Sequence, residues 1–422
     1  MRLPRWHWAY TLFRLADGVT HALIPLVPLL RFDAPAWSVP AMVAAMNLAS
    51  VPASFLWAAL MERHRGIGRR RLAVSGFGVA CVALVAMAFA PSILWFGIAA
   101  AAFAAFGVAT GPAASVLALE SVPGPRWAEA TARMARATGV AYLLGVVAVT
   151  GIGLAGWIDL RLTLLFAAML SVAAAVWAAR TIAPATRPVQ REAIVRPWVR
   201  RFERPVWFPT RMRFAPTLKG LRMADGDPLK LLVAILLLFL GSTTLFAAYP
   251  GILSRDLGFT LGWVLLAQAP SQFTTPFAAR WSAAFGDRRG ELPAVGVAVL
   301  VRAVALLGLV AGIVWGSLGL LLAAHALMGL GFSILQVNGA CLFARVHRGG
   351  RGQGIGSYHA AVGVGSLLGS LLAVALLALA STAAVLLAAV IIAGLGSLLQ
   401  WSLRRSDHFV ARNEGVMPEA AE

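Results

Sequence analysis

The sequence predicts an all-α polytopic membrane protein: twelve transmembrane helices in two pseudo-symmetric six-helix halves. Three observations predict it. Of 422 residues, 60% are hydrophobic and only 13% charged, with a mean hydropathy of +0.80, where a soluble chain carries about 25% charged residues. The apolar residues gather into runs long enough to cross a hydrocarbon core of about 30 Å. The basic residues alternate: 31 of the 36 Lys and Arg fall in every second connection, and the intervening connections hold only Arg31, Arg161 and Arg255. By the positive-inside rule the basic side is cytoplasmic. That places a multi-pass chain in a plasma (inner) membrane with both termini cytoplasmic. The net charge of +19 then has anionic lipid headgroups, not nucleic acid, as its partner.

The spans run over residues 8–30, 37–61, 72–91, 93–117, 135–156, 160–182, 229–253, 260–284, 292–313, 315–341, 355–379 and 382–403. The first is too long for a secretory signal and has no small-residue cleavage site, so it is expected to be retained. Trp37, Trp95, Trp157 and Trp315 mark outer ends, and Trp8, Trp281 and Trp401 inner ends, as an aromatic belt requires. The outer loops are a few residues long, which leaves no room outside for an enzymatic domain. Residues 1–183 form the first half, 184–228 a basic cytoplasmic linker, 229–403 the second half and 404–422 a cytoplasmic tail. Pro197, Pro205 and Pro209 prevent one continuous linker helix; the segment reads as short interfacial helices on the inner leaflet or as a regulatory region. The tail ends acidic and reads as disordered. Cys81 and Cys341 both lie in spans and offer neither a metal site nor a disulfide framework. No cofactor is expected.

Span 1 is unusual in its polarity. Tyr10, Arg14, Asp17 and His21 share an arc of about 60° on one helix face. Asp17 lies about 14 Å beyond Trp8, near mid-membrane. Groups so costly to bury usually face a partner or a water-filled path. In one reading Asp17 is a proton-coupling carboxylate, with Arg14 favouring its charged form and His21 as relay or substrate contact. In the other, Arg14 and Asp17 are a neutralising i,i+3 pair and His21 a hydrogen-bonded interior imidazole. Elsewhere, Asn47, Ser50 and Ser54 share a face of span 2. Gly139, Gly145, Gly151, Gly153 and Gly156 in span 5, with Gly365 and Gly369 in span 11, allow close helix contact. Arg302 sits mid-span in segment 9 and needs a partner that the sequence does not name, a backbone carbonyl or a lipid phosphate being the candidates.

The halves align without a gap at an offset of 225, so that Pro25 falls on Pro250, Glu62 on Asp287, Arg63 on Arg288 and Arg126 on Arg351. Duplicated six-span halves are a signature of secondary transporters. Between spans 2 and 3 the chain reads from Ala58 through Glu62 and Arg63 to Arg69, Arg70 and Arg71. Between spans 8 and 9 it reads from Ala283 through Asp287 and Arg288 to Gly290. Here the chain resembles the major facilitator superfamily, whose inner loops carry a G-x-L-x-D-R-x-G-R-R pattern. The second copy keeps the Asp, Arg and final Gly, with Ala283 for the first Gly. The first copy has Ala58 for Gly, Glu62 for Asp and two extra residues before the Arg run.

The resemblance implies that Glu62, Arg63, Arg70, Asp287 and Arg288, with Glu120 at the inner end of span 4, form a cytoplasmic gate. Topogenic charge alone is the plainer account of the same residues. It also implies a cavity lined by spans 1, 4, 7 and 10, flanked by 2, 5, 8 and 11. His21, Asn47, Tyr142, Tyr249, Gln272 and His325 are the candidate cavity residues.

No P-loop is present, which argues against ATP-driven transport. Span 4 lacks the Arg of many drug exporters, and span 5 the Gly-Pro-rich run of drug/proton antiporters. Two intramembrane Arg against one Asp lean toward neutral or anionic small molecules. The expectation is a monomeric secondary transporter of a small organic solute working by alternating access, proton-coupled through Asp17. The rivals are an uncoupled facilitator and, from another class, a membrane enzyme or non-transporting receptor on the same scaffold. An enzyme would need a cluster of acids, histidines or a nucleophile at one face, and none is visible.

Overall fold

The computed structural model describes residues 4–21, 23–63, 69–108, 127–182, 227–346 and 351–403, together with Ala114 and Leu117. Linker residues 184–226 and the tail 404–422 lie outside the described residues. Those described form α1 (His7–Thr20), α2 (Val27–Phe32), α3 (Ser38–Arg63), α4 (Arg69–Ala88), α5 (Ile93–Gly107), α6 (Trp127–Leu154), α7 (Leu160–Thr181), α8 (Asp227–Arg255), α9 (Leu261–Arg289), α10 (Glu291–Val314), α11 (Leu318–Val346), α12 (Arg351–Leu379) and α13 (Thr382–Leu403). None of them is in a strand. Among the described residues nine candidate spans are long and apolar enough to cross a membrane. The helices α3, α5 and α9 occupy the other three places in the predicted order.

Span 1 departs from the single helix expected over residues 8–30. It stops at His21, whose N–H still bonds Asp17 O at 2.8 Å, and resumes as a 3₁₀ turn over Ile24–Leu26 followed by α2. Pro25 is the reason: it has no N–H to give the His21 carbonyl, and its ring would strike that carbonyl in a continued helix. At the far end, Asp33 takes a left-handed conformation with φ 46°. That stops α2 and returns the Ala34 N–H to Pro28 O at 3.1 Å. Other helix ends carry their own devices. Asp159 accepts from the Arg161 and Leu162 N–H groups and caps α7. Gly290, at φ 84°, makes the turn from α9 into α10 that a side chain would strain. Arg31 reaches across to donate to the carbonyls of Met87 (3.2 Å), Ala88 (2.9 Å) and Ala90 (2.9 Å), placing a cation on the C-terminus of α4.

The buried apolar residues divide into two clusters. One is drawn from residues 6–182, with Leu265 added from α9. The other is drawn from residues 231–403, with Leu26 added from the 3₁₀ turn. The two exchanged leucines stitch the clusters together. Along the seam Gly153 of α6 meets Gly262 of α9, Gly139 faces Pro276, and Gly363 of α12 faces Val51 of α3. Asn47 Nδ2 of α3 approaches the Ser366 carbonyl of α12 at 3.5 Å. At the short-loop face Arg255 donates to the Ala34 carbonyl, with the Asp33 carboxylate 4.0 Å away. Trp8, Trp37, Trp95, Trp157, Trp281, Trp315 and Trp401 are all exposed, as residues of an interfacial belt are.

Glycine sets the closest approaches. A Cβ on Gly145 would collide with the Leu15 carbonyl, and one on Gly18 with the Tyr142 carbonyl, so α1 and α6 meet backbone to backbone. Gly365 and Gly369 do the same for α12 against the Leu236 and Leu240 carbonyls of α8. Gly151 meets nothing within 4 Å, and Gly156 makes the α6–α7 turn at φ 73°. Of the span 5 glycines, then, three serve helix contact. A contrast follows. Gly145→Leu should lower stability by about 1–3 kcal/mol through overpacking. Gly151→Ala should move it by less than about 1 kcal/mol, on the stabilising side. Thermal unfolding of the purified variants reads both; equal loss in the two would overturn the backbone-contact account.

Candidate functional site

The close approach of α1 and α6 builds the polar site. With Gly18 against the Tyr142 backbone, the Tyr142 side chain lies along the next turns of α1. The Arg14 guanidinium is 5.3 Å from the Tyr142 ring centroid, within cation–π range. His21 meets the same ring edge-on at 5.9 Å. Arg14 Nη1 donates to Asp17 Oδ2 at 2.5 Å, and the two side chains are 47% and 15% exposed respectively. The i,i+3 spacing brings the pair together on one helix face. Arg14, Asp17, His21 and Tyr142 therefore form one cluster, with Tyr142 as its floor and the guanidinium at its open edge. Thr20 does not join it: its hydroxyl returns to the Ala16 carbonyl at 3.0 Å.

Tyr10, expected on the same stripe, turns elsewhere. Its ring packs edge-on against Phe77 of α4 at 5.3 Å and against Trp6 at 5.7 Å. It is buried in the apolar cluster of the first half. The angular sum that put it beside Arg14 holds for an isolated helix; α4 lies on that flank and claims the ring.

A second polar pair stands in the other half. His325 Nδ1 of α11 is 3.5 Å from the Tyr249 hydroxyl of α8 and 3.1 Å from the Leu321 carbonyl. The carbonyl accepts, so Nδ1 carries the proton. Phe246 covers the imidazole at 5.7 Å. Both members are enclosed, Tyr249 at 0% and His325 at 1% exposure. His325 Nε2 is left buried with no hydrogen-bond partner. Asn47 stands at the α3–α12 seam. Gln272 is half-buried on α9, one turn from Gln268, whose amide bonds the Val264 carbonyl at 3.3 Å.

The gate residues are only partly visible. Glu120 lies outside the described residues, as do the side chains of Glu62, Arg63 and Asp287. Arg70, half-buried, begins α4 beside Arg69, and exposed Arg288 lies in the last turn of α9. Sequence reasoning missed the strap from Arg255 to the Ala34 carbonyl and the Asp33 carboxylate and the two phenylalanines around Arg302. The strap carried one signal, a basic residue at a face that holds only three. Among the described residues no group of three or more His, Cys, Asp or Glu could hold a metal ion.

The family model described as Major Facilitator Superfamily matches residues 8–223 and 231–419. Among curated proteins no relative matches the sequence. Solved structures share the fold at low identity. The nucleoside transporter NupG is 11% identical with a TM-score of 0.73, over 95% of this chain and 97% of that one. A POT family transporter in complex with a thioalcohol conjugated peptide is 11% identical with a TM-score of 0.72, over 97% and 96%. A POT family transporter in complex with 5-aminolevulinic acid is 12% identical with a TM-score of 0.70, over 95% and 94%.

The site geometry carries a test of its own. In a cycle of Arg14→Gln, Asp17→Asn and the double variant, each single change strands one charge. The double change should recover part of the loss, with a coupling of about 0.5–1 kcal/mol for a pair this open to solvent. Strictly additive unfolding energies would mean that the two groups do not act together.

Proposed function

We propose that this chain, which belongs to the major facilitator superfamily, carries a small organic solute by alternating access and couples that movement to protons through Asp17. The protein is a transporter and not an enzyme. One observation supports the coupling reading above the rest: a mid-span carboxylate whose single cationic partner, Arg14, is half exposed and on the same helix. The pair is closed while both groups are charged. A solute anion that draws the guanidinium away leaves Asp17 without its counter-ion, and a carboxylate so stranded takes up a proton. Protonation in turn frees Arg14 for the solute. Binding and protonation thereby favour each other, which is the linkage a coupled carrier needs. His21, at the end of α1, is read as a proton relay or a solute contact, and Tyr142 as an aromatic floor for the solute.

The solved nucleoside and peptide transporters support the fold. The choice of solute rests on the residues: one Arg beside an aromatic ring suits a small polar or anionic molecule. The Arg-rich face is read as cytoplasmic, in a plasma (inner) membrane, against anionic headgroups. Glu62, Arg63, Arg70, Glu120, Asp287 and Arg288 are read as the gate on that face, and the working unit as a monomer. An uncoupled facilitator is the other reading, favoured by the fact that Arg14 and Asp17 satisfy each other inside α1.

The experiment is proton exchange in weakly buffered detergent solution on adding candidate solutes, wild type beside Asp17→Asn. A solute-dependent proton signal in wild type that vanishes in Asp17→Asn, with binding retained, is the expected outcome. Binding without proton movement in either protein would leave the facilitator.

A further inference from the structure

Arg302 is the intramembrane charge that the coupling reading does not use. It lies about 16 Å from Glu291 along α10, and only 4% of it is exposed. Its side chain leaves α10 across α11 at Gly331, where a Cβ would stand 2.7 Å from Arg302 Cγ. Glycine there clears the passage. The guanidinium carbon then lies 4.8 Å from the ring centroid of Phe239 on α8 and 5.9 Å from that of Phe332 on α11. The two rings are edge to face, 6.4 Å apart. Phe239 is buried, while Phe332 is half-buried and forms the least enclosed wall.

Among the described residues no acid stands against Arg302; the nearby phenol of Tyr358 on α12 is uncharged and gives its proton to the Leu335 carbonyl at 3.2 Å. Arg302 Nε is buried with no hydrogen-bond partner. The ion pairs of Arg14 with Asp17 and of Arg255 with Asp33 do not include Arg302. Ring faces attract a cation but provide no acceptor for its N–H groups. A guanidinium held out of water without an anion is among the costliest groups a protein can bury. Its planar donor fork matches one chemical group best, a carboxylate bound through both oxygens.

We propose that Arg302, with Phe239 and Phe332, forms a carboxylate-binding site in the second half of the protein, and that its occupant is the acid group of the transported solute. This rests on the chain being a solute transporter, not on Asp17 being the coupling group. The apolar walls exclude water and sharpen the preference for an anion. The site also names the solute class more narrowly than the first half does: a molecule bearing at least one carboxylate.

The test uses acetate, the binding group alone, with purified full-length protein at constant ionic strength in methanesulfonate, which has no carboxylate. The thermal midpoint of wild type should rise saturably with acetate, as a ligand of the folded state requires. Arg302→Gln should weaken the apparent affinity about tenfold or more, and Arg302→Lys should weaken it less, since a point charge replaces the fork. An acetate response identical in wild type and Arg302→Gln overturns the site. An equal, Arg302-dependent response to chloride overturns its assignment to a carboxylate. If Arg302→Gln does not fold, wild type decides: no saturable rise with acetate overturns the proposal. Because this readout is binding at equilibrium, its failure beside an intact solute-dependent proton signal removes the acid site alone. Loss of both signals removes the acid site and the proton coupling together and leaves the uncoupled facilitator.

Discussion

Inside a bilayer a polar group has only the protein to bond to, and that constraint orders this molecule. Backbone polarity is absorbed by helices throughout the described spans. Hydroxyls fold back on their own helices: Thr20 to Ala16, Ser171 to Ala167, Thr244 to Leu240, Ser282 to Ala278. Where a helix must end, a charged side chain comes to it, as Arg31 does to α4. Against that background two exceptions stand out among the charged groups. Asp17 and Arg14 satisfy each other yet remain partly open, and Arg302 is enclosed without an acid. Both depart from the economy of the rest of the chain, which is the pattern of groups kept for work and not for stability.

Tight packing decides what can move. Because Gly18 and Gly145 bring α1 and α6 into backbone contact, Tyr142 cannot drift from Arg14 and His21 without parting the two helices. The four residues travel as one block. A change of environment at Asp17 must therefore come from the surface that faces the block, not from loosening within it. The seam between the halves rests on one backbone approach at Gly153 and Gly262, the two exchanged leucines, a long amide contact at Asn47 and the Arg255 strap. Those are contacts that a rocking motion can make and break.

Much of this was legible in the sequence, for physical reasons. Apolar runs, arginine alternation and tryptophan placement each reflect the bilayer directly, so the order of the helices follows from them. The Arg14–Asp17 pair is local, three residues apart on one face, and local geometry is readable. The break in span 1 was legible in principle from Pro25, yet the run of apolar residues on both sides of it masks the interruption. Tyr10 was misplaced because helix periodicity says which residues share a face and not which neighbouring helix takes them. The cage of Arg302 joins residues from α8, α10 and α11 that lie far apart in the chain. No spacing rule links Phe239 to Phe332. The gate pattern could be read only as a pattern, since what it does depends on side chains outside the described residues.

The glycine at 331 has a consequence for how the chain is made. Helices enter the membrane in order of synthesis, so α10 arrives before α11 and must cross with Arg302 uncovered. Insertion with a central arginine costs about 2.5–3.5 kcal/mol on a translocon scale, and the most apolar window of any candidate span belongs to α10. That surplus carries the charge across unaided. Phe332 and the gap at Gly331 arrive together on the next helix, so the walls that cover the arginine are complete only once α11 has docked. The most enclosed arginine among the described residues is thus one whose cover is supplied by the helix made after it.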